Sequence, residues 1–226
     1  MLDTIKNKLL SYNDSFNSQL KQDVLALVLT DFKRNGFFVE FGVCDGLYLS
    51  NTVLLEKQYD WQGIIAEPNK SHHESLIKNR SCNIDFKAVF GVSHQYVEFR
   101  EIENHKDLSG IVETFVNDNH VKTREKEHKT YNVETISLTD LLRTYNAPTH
   151  IDFISIDTEG SEFDILSNFE FKDYDVDIFT VEHNFIERNR TRIKTLFDNN
   201  NYTRIFTELS QWDDWYISNK FLERIQ

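Results

Sequence analysis

The chain is poor in cysteine. Of its 226 residues only Cys44 and Cys82 carry thiols, too few for the disulfide framework of a small secreted domain. They read as two reduced thiols of an intracellular protein, and small size alone explains Cys44 in a glycine-containing turn. Proline and glycine are also scarce, at two and seven residues, and no Pro/Gly/Ser-rich linker or internal repeat divides the chain. No apolar run approaches the ~18 residues that a membrane helix needs. The N-terminal Met1-Leu2-Asp3-Thr4-Ile5-Lys6 lacks the apolar stretch of a signal peptide, so a cytoplasmic location with no membrane span is expected. Basic residues are in deficit, 25 Lys and Arg against 37 Asp and Glu, for a net charge of −12. A duplex-binding protein usually carries a basic footprint. Nucleic acid is therefore a poor partner, and a neutral or cationic small molecule or glycan a better one. The G-x-G-x-x-G dinucleotide fingerprint is missing as well, which disfavours an NAD-dependent oxidoreductase.

What is present fits one α/β domain. Hydrophobic residues make up 39% and charged residues 27% of the chain, enough for a full core at this length. Three segments share one pattern, an apolar run ending in an acid beside Gly or Pro. They are Phe38-Val39-Glu40-Phe41-Gly42-Val43-Cys44-Asp45-Gly46, Ile64-Ile65-Ala66-Glu67-Pro68-Asn69 and Ile154-Ser155-Ile156-Asp157-Thr158-Glu159-Gly160. A buried parallel strand that delivers a carboxylate to the sheet edge reads this way, and open α/β sheets bind ligands at those carboxyl ends.

Periodicity predicts strands over residues 37–41, 63–66, 84–89, 151–157 and 177–182, alternating with helices over 19–33, 47–57, 71–78, 137–145, 161–169 and 189–198. An extra strand is expected over 96–102. Residues 202–206 and 215–218 lie too close for a helix between them and predict a closing hairpin, hence one antiparallel strand. Residues 1–17 read as an extension or short docking helix, and 18–226 as the domain proper. The segment 103–134 has little apolar periodicity and a charged run from Lys122 to Lys129. It is either a lid or acceptor loop or a solvated insertion.

Gly42 and Gly46 bracket the first turn, where glycine lets backbone N–H groups approach a ligand. This wider spacing suits an amino-acid nucleoside with no pyrophosphate to cradle. Glu67 stands at the second strand tip, held extended by Pro68, where a carboxylate can accept hydrogen bonds from both ribose hydroxyls. The plainer reading of Glu67 alone is a solvated loop acid. Asp157 and Glu159 at one tip face Glu182, His183 and Asn184 at the next. Such a set suits a hard divalent cation, Mg²⁺ or Mn²⁺ on Asp157, Glu182 and Asn184, or a general base drawn from Asp157, Glu182 and His183. A helix N-terminus would by itself favour Glu159 and Glu162, and His183 also reads as a satisfied core histidine.

In order, six pieces of the chain resemble an FkbM-type methyltransferase, a family of the class I S-adenosylmethionine-dependent enzymes. They are Ser18-Gln19…Gln22-Asp23, Gly36 to Gly46, Leu49-Ser50-Asn51-Thr52…Leu55-Glu56-Lys57, Trp61 to Asn69, Ile136 to Leu142 leading into Ile151 to Glu162, and Val181-Glu182-His183-Asn184. The resemblance implies a Rossmann-like sheet of seven strands, order 3-2-1-4-5-7-6 with strand 7 antiparallel, flanked by helices. It implies that Glu40, Gly42 and Gly46 contact the amino-acid end of S-adenosylmethionine, that Asp45 also belongs to the donor site, that Glu67 takes the ribose, and that Pro68 and Asn69 flank the adenine. Gln19 and Asp23 would close over the site. The loop after the third strand, Asp85 to Val89, departs from the pattern by lacking an acid directly before Ala88. Understood relatives mostly methylate hydroxyls, often of sugars, so a sugar O-methyltransferase is the leading expectation. The rivals are a lipid, polyketide or amine methyltransferase, or a donor-binding module without activity inside a larger glycan-modifying polypeptide. A homodimer is equally compatible with the sequence.

Overall fold

The computed structural model describes residues 2–115 and 121–225. In chain order its strands are β1 (Phe37–Phe41), β2 (Gln62–Ala66), β3 (Asn83–Asp85), β4 (Ala88–Phe90), β5 (Tyr96–Ile102), β6 (Gly110–Ile111), β7 (His128–Ser137), β8 (His150–Ile156), β9 (Asp175–Glu182), β10 (Tyr202–Ile205) and β11 (Asp213–Ser218). The helices are α1 (Leu2–Ser11), α2 (Gln22–Leu29), α3 (Val53–Tyr59), α4 (His73–Asn79), α5 (Val121–Arg124), α6 (Leu138–Thr144), α7 (Glu162–Ser167), α8 (Glu187–Asn199) and α9 (Asn219–Arg224). Among the described residues no helix is long and apolar enough to cross a membrane.

Seven strands form the main sheet in the order β10-β11-β9-β8-β1-β2-β3. Numbered among themselves along the chain, this is the expected 3-2-1-4-5-7-6. β11 runs antiparallel to both its neighbours and the other pairs are parallel. The sheet is apolar on both faces because helices cover both. From β1, Phe38 joins one core with Val24, Leu25 and Phe153, while Val39 and Phe41 join the other with Ile154, Leu141 and Phe179. Ile5 and Leu9 of α1 pack into the first of these cores. Connections leave the sheet centre in opposite directions from β1 and β8, so the crevice between their carboxyl ends is the switch point at which open α/β sheets take ligands.

Several elements differ from the sequence expectation. The single strand expected over 84–89 is two strands in two sheets. β3 ends the main sheet, and after Phe86 and Lys87 the chain enters β4 of a small sheet ordered β4-β7-β5-β6. The supposedly aperiodic stretch before residue 134 contains most of β7, whose first half is exposed and therefore shows no apolar alternation. The helix expected from residue 19 starts only at Gln22, because Lys21 is left-handed with φ 65°. Residues 47–52 are a turn and α3 begins at Val53. The chain closes on a helix, α9, capped by the Ser218 hydroxyl accepting from Phe221 N–H.

Candidate active site

The site begins at the end of β1. Gly42 has φ +75°, and a Cβ there would lie 1.7 Å from the backbone oxygen of Asp157. Only glycine lets the β1 turn lie directly against the tip of β8. Cys44, also left-handed, turns its N–H onto Glu67 Oε2 at 2.9 Å, while Asn69 N–H donates to Glu67 Oε1 at 2.8 Å. Glu67 itself lines the crevice. Burial pushes the Glu67 carboxyl up to about 7, and the backbone N–H groups oppose that rise.

Glu40 stands elsewhere than the resemblance implies. Its Oε1 accepts from Asn51 N–H at 2.6 Å, its Oε2 accepts from the hydroxyls of Ser50, at 3.0 Å, and Thr52, and Arg80 Nη1 lies 3.6 Å away. Arg80 is itself buried and also pairs with Glu56. Glu40 thus ties the 50–52 turn to the sheet rather than facing the crevice. Asp23 is likewise inward, accepting from Asn17 N–H, Val24 N–H and the Ser18 hydroxyl. Asp45 caps Leu47 and Tyr48 N–H, Asn69 caps the turn at Ser71, and Gly46 backs onto Leu76 and Arg80. Gln19, Gly42, Glu67 and Pro68 do line the crevice.

At the other end are the acids. Carboxylate oxygens of Asp157, Glu159 and Glu182 lie within 4.8 Å of one another. Burial and neighbouring carboxylates push Asp157 up to about 7, Glu159 up to about 8, and Glu182 well above the usual carboxylate range. A hydrogen bond between Asp157 and Glu182 favours the charged form of the first and the neutral form of the second. The pair therefore holds a proton near neutral pH. Arg124 of α5, buried against Phe115, forms an ion pair with Glu159. Glu182 Oε2 is buried with no hydrogen-bond partner among the described residues.

His183 is engaged on both ring nitrogens. Phe185 N–H donates to Nδ1 at 3.0 Å, so the proton sits on Nε2, which faces the Asp213 carbonyl at 3.1 Å. With both ring nitrogens engaged, His183 fits the satisfied core histidine, the other of its two sequence readings. It fixes the next two residues, Asn184 and Phe185, both left-handed at φ 47° and 58°. Those two do line the crevice.

The crevice is a cavity of about 380 Å³, within the size range of small-molecule sites. Its floor runs from Glu67 past Gly42 to Asp157 and Glu182, and Leu108, Ser109 and Ile111 of the small-sheet region form a wall. Close packing fixes that wall, since a Cβ on Gly160 (φ +123°) would lie 2.4 Å from Thr114 O. Tyr48 and Phe185, which line the cavity, are 60% and 65% exposed. Residue types and spacing gave no signal for Arg124, Tyr48 or Phe185. Asn51, also on the wall, sat in a matching motif without an assigned role.

A seven-stranded 3-2-1-4-5-7-6 sheet with acids at the tips of its first, second and fourth strands defines a class I methyltransferase, for which S-adenosylmethionine is the expected donor. The Methyltransferase FkbM domain matches residues 40–216, and the chain belongs to that family. Among solved structures it is similar to a precorrin-6y C5,15-methyltransferase from Geobacter metallireducens GS-15, at 10% identity and TM-score 0.42 over 86% of this chain and 85% of that one. It is also similar to a methyltransferase from Pyrococcus furiosus, at 13% identity and TM-score 0.42 over 95% and 92%. No curated protein matches it.

Proposed function

We propose that the chain is an S-adenosylmethionine-dependent O-methyltransferase acting on a hydroxyl of a sugar or glycosylated metabolite. The observation that carries this reading is one cavity with Glu67 at one end, Asp157 and Glu182 at the other, and the Gly42 turn between. Bound there, the donor supplies a sulfonium methyl to in-line attack by the acceptor oxygen. Glu67 accepts hydrogen bonds from the ribose hydroxyls. Ala66, Pro68, Ala88 and Val89 supply a small, mostly apolar slot for the adenine. Lys106 to Ile111 serve as the lid over this cavity. The exposed rings of Tyr48 and Phe185 suit the C–H face of a sugar, and the acidic interior suits an uncharged polyol rather than an anionic acceptor.

An alkyl hydroxyl is a weak nucleophile near neutral pH and needs a proton acceptor. Asp157, ionised above about 7, is the base of this reading, and Glu182 holds the neighbouring proton. The oxygen-rich set also fits Mg²⁺ or Mn²⁺, held by Asp157 and Glu182 with Asn184 on the same wall. Such a cation would bind the acceptor hydroxyl and lower its pKa.

The test is methyl transfer to a panel of methyl glycosides, alcohols and amines, with and without EDTA. Transfer to glycosides is expected, with a rate that climbs from pH 6 to 8 as Asp157 ionises. Asp157→Asn is expected to lose turnover at least 100-fold, the low end for a general base, while keeping donor affinity. Restoration by Mg²⁺ or Mn²⁺ after EDTA supports the cation. Turnover indifferent to EDTA removes it and leaves Asp157 as base alone. Transfer confined to amines contradicts the hydroxyl reading.

A further inference from the structure

We propose that Asn51 recognises the α-ammonium group of the methyl donor, an inference that rests on the donor reading above. Asn51 lies in the turn between Gly46 and α3 and is 7% exposed. Two hydrogen bonds set its position. Its backbone N–H donates to Glu40 Oε1 at 2.6 Å, and its side-chain Nδ2 donates to Ser155 Oγ of β8 at 2.8 Å. Ser155 Oγ also receives the Thr180 hydroxyl of β9 at 3.0 Å. With Nδ2 committed to the sheet, the amide oxygen is turned away from it. That oxygen, Oδ1, is buried and has no hydrogen-bond partner among the described residues, on a residue that lines the cavity.

A buried acceptor left unpaired is costly, and native structures keep few of them. Oδ1 therefore calls for a ligand that donates. The sheet says which part of the donor arrives there. Glu67 ends β2 and Ser155 belongs to β8, with β1 between them. Two strand spacings are about 10 Å. A donor with its ribose on Glu67 and its sulfur directed toward Asp157 crosses the bare Gly42 turn and brings its amino-acid end over β8. Of the two charged groups at that end, the carboxylate only accepts hydrogen bonds and would face Oδ1 lone pair to lone pair. The ammonium has three N–H donors and matches it. Asp157 and Glu182, which line the same cavity, add favourable field for a cation.

The experiment compares S-adenosylhomocysteine with its deaminated analogue, which keeps the carboxylate and lacks the ammonium, by calorimetry. The unmodified protein is expected to prefer S-adenosylhomocysteine roughly ten- to a hundredfold, the range for a hydrogen bond to a charged group. In Asn51→Ala that preference is expected to collapse to about threefold or less, with the affinity for the deaminated analogue little changed. A merely structural role would weaken both ligands equally and leave the preference intact, and that result overturns the assignment. Should Asn51→Ala not fold, Asn51→Asp decides. Its carboxylate still accepts, so the preference is kept or widened, and its loss overturns the proposal. Binding of neither ligand by the unmodified protein would instead sink the donor reading itself.

Discussion

At the scale of single residues, Glu40 and Glu67 show how the same side chain at two strand tips does different work. Both are buried. Glu67 accepts from backbone N–H groups and lines the crevice, whereas Glu40 is saturated by Asn51, Ser50 and Thr52 and neutralised by Arg80. Glu40→Ala would strand the buried Arg80 guanidinium against Glu56 alone. Removing one partner of such a pair costs about 3–5 kcal/mol, so chemical denaturation should show a loss of that order. A normal stability with selectively lost donor binding would return Glu40 to the donor site. Glu67→Ala should leave stability nearly unchanged and weaken donor affinity by about 1.5–3 kcal/mol, read by calorimetry. Because the Glu67 carboxyl is pushed up to about 7 and its ionised form is the better acceptor, donor affinity should tighten from pH 6 to 8. That pH dependence should vanish in Glu67→Gln. The sequence carried the placement of Glu67, since a strand tip before proline points one way. It did not carry the fate of Glu40, which depends on an arginine forty residues on, brought in by α4.

At the scale of elements, the strand-tip rule holds where a strand ends in a turn and weakens one residue beyond. Asp157 and Glu182 face the crevice as their strand ends imply, but His183, next in line, turns inward to hold the Asn184–Phe185 turn. His183→Ala should therefore lower acceptor turnover through misplacement of Phe185 while donor affinity stays the same. With Asp157 as the proposed base, its rate should still rise from pH 6 to 8. Disappearance of the limb in His183→Ala would mean that the ring is the base after all. The main sheet was legible because its strands are apolar on both faces and end in Gly, Pro or acid. The small sheet was not. β4 is three residues long and continues an apolar run that begins in β3. β7 pairs with β5 through exposed polar residues such as Lys129, Thr130 and Asn132, where periodicity has nothing to register. Residues 116–120, within the expected lid, lie outside the described residues.

At the scale of the whole molecule, the excess of acid is partly concentrated inside. Asp157, Glu159, Glu182 and Asp213 are all pushed up, chiefly by burial. A carboxyl whose folded pKa is raised binds its proton more tightly folded than unfolded. Its contribution to stability is greatest below about 4 and is lost as the pH rises through about 7 to 8. Asp214 and Glu56, held low in the folded state despite their burial by Arg190 and Arg204 and by Arg80, act in the opposite direction. An interior that stores unfavourable negative charge at neutral pH is a poor device for stability. On the proposed reading it serves instead to take a proton from the acceptor hydroxyl. The central claim is the donor. Calorimetric titration of the unmodified protein with S-adenosylhomocysteine, and separately with NAD, tests it most directly. Saturable one-to-one binding of S-adenosylhomocysteine with no response to NAD is expected, and tight NAD binding with silence toward S-adenosylhomocysteine would contradict it.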